Sequence, residues 1–117
     1  MAKLTVKAIT KAGLADLSAE LTAAAAAGDS ADNASGIFLA VENTDASTHT
    51  VTVAAPVSSV VAGNLGSLDV DPLTLVVLAG DVGFLAIPTG YQNTDGDLAW
   101  TYDSETGVNV GVFSIAP

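Results

Sequence analysis

Gly36-Ile37-Phe38-Leu39-Ala40-Val41-Glu42, then Asn43-Thr44-Asp45-Ala46-Ser47, then Thr48-His49-Thr50-Val51-Thr52-Val53-Ala54 is the stretch that decides the fold class. The first and last runs are rich in β-branched and aromatic residues and contain no proline, which suits a pleated surface. The Asn, Asp and Ser between them cap their own backbone and tolerate turn geometry. The reading is strand, turn, strand, with the two strands paired as a hairpin. Pro56 ends the second strand, because it has no N–H for a ladder.

The same grammar continues toward the C-terminus. Leu73-Thr74-Leu75-Val76-Val77-Leu78 is an apolar strand, and Ala79-Gly80-Asp81 turns it into Val82-Gly83-Phe84-Leu85-Ala86-Ile87-Pro88. Asp97-Leu98-Ala99-Trp100-Thr101-Tyr102-Asp103 alternates apolar with polar. After Glu105-Thr106-Gly107 the last strand is Val108–Ile115. Toward the N-terminus, Leu4, Val6 and Ala8 alternate with Thr5, Lys7 and Ile9 as a short first strand. Residues 12–27 fit a short helix or a loose arm. Leu14, Leu17 and Leu21 have helical spacing, Ala23–Ala27 favours helix, and Gly28 suits a C-cap. About seven or eight short strands with turns between them predict an all-β, antiparallel sandwich or barrel with an N-terminal arm. No β–α alternation points to a parallel sheet. Residues 1–11 read as a basic arm or first strand, and 12–117 as a single sandwich domain.

A chain of 117 residues buries one core. Half of its residues are hydrophobic but only 5% are aromatic, so small aliphatic side chains fill that core. There is no cysteine, which excludes disulfides and thiolate metal sites. No apolar run is long enough for a membrane helix, and the first residues lack the apolar core of a signal peptide. The expectation is a soluble protein made in a cytoplasm.

Charge is distributed unevenly. Lys3, Lys7 and Lys11 are the only cations, and all 13 acidic residues lie from Asp16 onward. The first eleven residues carry +3 and the remainder −13. Such a body repels phosphate backbones, so nucleic acid is not an expected partner. Two readings of the lysines stay open: they reach an acidic neighbour, which can be another copy of the chain, or they solvate the edge of the first strand.

The residues offer little catalytic chemistry. Asp45, Ser47 and His49 share a strand face at two-residue spacing, but side chains from one strand do not readily converge on one substrate atom, and turn chemistry accounts for them. Asp69/Asp71, Asp95/Asp97 and Asp103/Glu105 are carboxylate pairs at two-residue spacing. Glycosidase chemistry also needs a cleft with aromatic platforms, and the chain has one Trp and two Tyr. Asn93, Asp95 and Asp97 could offer oxygens to a hard cation, although Ser104 stands where a closing Glu would be needed and Asp95-Gly96 is itself a turn signal. No metal or cofactor is assigned. Leu98, Trp100 and Tyr102 share a face. Core anchoring is their first reading, and an interface anchor at Trp100 and Tyr102 is the second.

Two segments resemble small structural proteins of tailed bacteriophages. One runs from Gly28-Asp29 through Asn33, Gly36, Phe38-Leu39, Val41 and Asn43 to Thr50-Val51-Thr52-Val53 and Pro56. The other is Ile87-Pro88, then Tyr91, Asn93, Asp95-Gly96, Leu98, Trp100 and Tyr102. The nearest kind is the head decoration, or cement, protein with a jelly-roll-like sandwich. The resemblance spans roughly residues 28–115, and the Ala-rich run before it departs from the pattern. It implies a homotrimer on the outer surface of the virion, bridging copies of the major capsid protein, with Lys3, Lys7 and Lys11 meeting acidic capsid groups. A carbohydrate-binding sandwich and a tail or baseplate component are the alternatives. The first would use Tyr91, Trp100 and Tyr102.

Overall fold

The computed structural model of the chain describes residues 2–32, 36–54, 59–61, 67–69, 71–87 and 97–115. These residues form two sheets packed face to face, plus a small ribbon. In chain order the strands are β1 (Ala2–Lys3), β2 (Lys7–Ile9), β3 (Thr22–Ala23), β4 (Asp29–Asp32), β5 (Ile37–Asn43), β6 (His49–Val53), β7 (Ser59–Val61), β8 (Ser67–Asp69), β9 (Leu73–Val77), β10 (Val82–Ala86), β11 (Asp97–Tyr102) and β12 (Val108–Ile115). The first sheet runs β1-β4-β11-β6-β9 and the second β10-β5-β12-β2, with β3 also paired to β12. Strands β7 and β8 form the ribbon.

Period-2 alternation builds the core. Ile37, Leu39 and Val41 of β5 and Val108, Val110 and Val112 of β12 face Val51 and Val53 of β6 and Leu98 and Trp100 of β11. All are buried. Each such aliphatic side chain contributes roughly 1.5–3 kcal/mol on leaving water. The sandwich expected from the sequence is thus the observed architecture.

Four details differ from the sequence expectation. First, β5 and β6 are not a hairpin: β5 pairs with β10 and β12, whereas β6 pairs with β11 and β9. The Asn43–Ser47 turn carries the chain from one sheet to the other. Asn43 anchors the step, because its Nδ2 donates to the carbonyls of Ser47 (2.7 Å) and Val77 (2.9 Å). The β9–β10 and β11–β12 turns make the same crossing, and strand register places all three turns at one end of the sandwich.

Second, the sheets are not wholly antiparallel. β1 runs parallel to β4, and β2 runs parallel to β12. Third, the expected helix at 12–27 shrinks to a single 3-10 turn, Ser18–Glu20. Thr22–Ala23 pairs with Asn109 and Val110 instead, so tertiary pairing overrides the helix preference of the alanines. Gly28 does have positive φ (96°), but it closes a turn onto the Ala25 carbonyl, and a Cβ there would collide with the Trp100 carbonyl oxygen. Fourth, the described strands are more numerous than seven or eight. β4, spelled Asp-Ser-Ala-Asp, carries no apolar alternation that would announce it.

Residues 2–9 do not project as an arm. They leave the edge of the first sheet at β1, cross the opening between the sheets at Leu4–Val6, and join the second sheet at β2.

Candidate functional site

The single histidine lies at the crossing-turn end and is almost completely buried. Its Nε2 is 2.8 Å from Asp45 Oδ2 and its Nδ1 is 3.0 Å from Asp103 Oδ1. An imidazole placed between two carboxylates donates from both nitrogens, which requires the protonated ring. Hydrogen bonds to Asp45 and then to Asp103 hold the His49 pKa above its ordinary value. The Asp45 carboxyl is held below its ordinary value, chiefly by His49 and then by the Ala46 amide. For Asp103, partial burial opposes ionisation, but bonds from His49 and the Ser104 amide outweigh it and lower the pKa. Asp45 and His49 were neighbours in the sequence reading, and Asp103 was not linked to them: it lies 54 residues away from His49. Both ring nitrogens are committed, so the imidazole presents no free lone pair to a nucleophile.

The same end is bonded elsewhere. The Thr44 N–H and hydroxyl both donate to the Gly107 carbonyl, at 2.8 and 2.7 Å. Gly107 has φ of 69°, and a Cβ there would lie 2.9 Å from the Asp45 backbone nitrogen. Only glycine fits that approach without displacement.

Trp100 and Tyr102 occupy the interior face of β11. Trp100 is 1% exposed and its Nε1 donates to the Tyr102 hydroxyl at 2.8 Å. That hydroxyl donates in turn to Asp29 Oδ2 at 2.6 Å, which also accepts from the Ala25 N–H at 3.2 Å. Burial, reinforced by the neighbouring Asp29, drives the Tyr102 pKa far upward, so the phenol stays a donor. Both rings therefore serve the core, the first of the two roles open to them. Asp29 is itself buried, and among the described residues its Oδ1 has no hydrogen-bond partner.

Lys3 Nζ contacts Asp32 at 2.8 Å and Asp97 at 3.1 Å. Lys7 Nζ contacts Glu20 Oε2 at 2.8 Å and the Glu20 carbonyl at 2.9 Å. Two of the three predicted contact lysines thus bind acidic groups of their own chain. Lys11 lies exposed in the turn after β2.

The outer face of the second sheet holds a feature the sequence reading did not single out. Phe84 packs edge-to-face on Phe38, with ring centroids 5.8 Å apart, and Phe38 stacks on Phe113, also at 5.8 Å. Gly111 leaves room at the Phe113 end for Leu21, whose side chain would meet a Cβ there at 2.9 Å. Phe113 is fully buried. Phe84 is 58% exposed, and Val82 and Ala86 beside it on β10 are exposed too. Val76 and Leu78, just before the β9–β10 turn, are also exposed. The two-residue period of a strand puts Val82, Phe84 and Ala86 on one face. Residue type does not tell which face is wet, because Gly83 and Leu85 are no more polar.

Among the described residues no cluster of His, Asp or Glu is arranged to hold a metal ion, and no helix is long and apolar enough to cross a membrane. Of the loop suggested for a cation, Asn93 and Asp95 lie outside the described residues, as does Tyr91, and Asp97 contacts Lys3. No family model, curated protein or solved structure matches the chain.

Proposed function

We propose that this protein is a non-catalytic structural component that works by assembly: a decoration protein that forms a homotrimer on the outside of a phage head and binds the major capsid protein. The observation that carries the assembly part is the aromatic row on the second sheet. One end is covered by the chain's own Leu21, and the other is left open at Val82, Phe84 and Ala86. An exposed Phe on an otherwise strongly acidic body marks a surface that gains from being covered. The capsid part comes from the resemblance. A rigid sandwich whose histidine and internal rings are engaged in holding it together is consistent with that work. The carbohydrate-binding alternative would need Trp100 and Tyr102 outside, and both face inward.

Light scattering on the purified chain tests assembly. The expected mass is three times 11.6 kDa, reduced to the monomer by Phe84→Asp. A wild-type monomer at every concentration would overturn the trimer. Electron microscopy of particles from the source culture, labelled with an antibody to the chain, tests location. Label on heads is expected, and label confined to tails or absent from particles would overturn the decoration role.

A further inference from the structure

The N-terminal strand is held to its own body by little. β1 pairs with β4 at two positions, Ala2 with Asp29 and Lys3 with Ser30, and the Leu4 N–H adds a bond to the Ser30 carbonyl at 2.7 Å. β2 pairs with β12 at three, from Lys7–Phe113 to Ile9–Ile115. Between them Leu4 and Val6 touch the core but stay half-exposed. Grooves of about 570 and 270 Å³ flank this crossing, one against Asp32, Ile37 and Ile115 and the other against Glu20, Val110 and Val112. The strand therefore lies in a gap wider than itself. The remaining anchors are the ion pairs of Lys3 and Lys7, at exposed and half-exposed positions where such pairs contribute little each.

The gap is nevertheless specific for this segment. Every lysine of the chain lies within residues 3–11 and there is no arginine, and the groups that line the segment's seat are Asp32, Asp97 and Glu20. Its two borders, β4 and β12, offer backbone edges that a strand must cover. The connection back to the body, residues 10–16, is exposed throughout. It includes a tight turn at Gly13, which has φ of 80° and open space around it. Straightened, seven residues span roughly 23–25 Å, enough to hand the strand to a neighbour.

We infer that residues 2–9 exchange between copies of this chain: the strand of one copy fills the β4/β12 gap of the next, making in trans the contacts it makes here in cis. The occupant of the gap is then a second copy, selected by the same basic-on-acidic match, and repetition of the exchange closes a ring. Identical contacts on both sides of the equilibrium leave little free-energy cost to the exchange beyond association itself. The inference rests on the self-assembly part of the proposed function and not on the capsid.

The chain lacks cysteine, so a double variant Ala8→Cys/Ser114→Cys reports the strand's partner directly. Positions 8 and 114 are neighbours across β2 and β12, and Ala8 is exposed. A short bis-maleimide joins the two thiols within one chain if the strand stays home, and joins different chains if it is exchanged. With the variant at the wild-type solution mass, a denaturing gel should show covalent multimers up to three times the chain mass. Only internally linked monomer, or no product at all, would overturn exchange. A trimer by light scattering that yields only linked monomer would reject exchange and leave the proposed assembly intact. A solution monomer would reject both.

Discussion

At the end where β5, β9 and β11 finish, three turns bond to one another, through the buried Asn43 to the Ser47 and Val77 carbonyls, through the buried His49 to Asp45 and Asp103, and through the exposed Thr44 to Gly107. At the edge where the chain begins, a short strand meets each sheet over two or three residues, and its charged contacts are open to water. The fold is the same sandwich at both places, and the chemistry that closes it differs. Buried polar groups tolerate no substitute partner, because a group left unpaired keeps its desolvation cost. Exposed pairs can be exchanged for water or for a neighbour at small cost. One region therefore sets the fold, and the other is free to be shared.

The contrast is broken most directly at Asn43. Asn43→Ala takes the donor from the buried Val77 carbonyl and from the half-buried contact with the Ser47 carbonyl, and removes the acceptor for the Asp45 N–H, with an expected loss of about 2–3 kcal/mol. Urea unfolding measures it, and a loss near zero would mean the turns hold without their anchor.

A smaller, pH-dependent effect is expected at His49. Its folded pKa is raised, so its contribution is complete below the unfolded value of about 6.5 and fades as pH rises through the folded value. The lowered carboxyls of Asp45 and Asp103 contribute above about pH 3.8, and that contribution is lost as pH falls through their folded values. His49→Gln should therefore destabilise most between roughly pH 4 and 6.5, and the gap from wild type should narrow toward alkaline pH. Thermal melts of both proteins across pH check this; a gap that does not vary with pH would show that packing alone keeps His49 in place.

The smallest effect is expected at the open edge. Lys3→Ala should barely move the urea midpoint, since its partner Asp32 is fully solvated and Asp97 still reaches water in its absence. Hydrogen exchange at the Leu4 amide should nevertheless speed up. An unfolding shift as large as that of Asn43→Ala would make the two regions alike.

The strands rich in β-branched, aromatic and aliphatic residues and bounded by turn residues were legible to within about a residue at their starts: β5, β6 and β9 to β12 begin where the turn residues give way to such runs. Strand β4 was not, because Asp29 and Ser30 are buried by their partners and not by their polarity. The candidate site was legible in pieces. The basic segment was visible as charge, and Trp100 and Tyr102 as a shared face. The role of Asp103 was hidden because its partner His49 belongs to another strand, and the open end of the aromatic row because Phe84 is apolar on a strand whose other face is apolar too.

By itself the sequence determined the class: strand-length runs, turn residues at short intervals and a small-aliphatic core admit an antiparallel sandwich or barrel, and the packed sheets decided for the sandwich. It also determined the charge asymmetry, which is only a count of residues by position. The tertiary structure decided which strands pair, since alternation tells a strand which face to bury and is silent about its neighbour in the sheet. It also decided that the first lysines lie against Asp32, Asp97 and Glu20, because proximity between residues far apart in the chain is a property of the packed sheets and of no local segment.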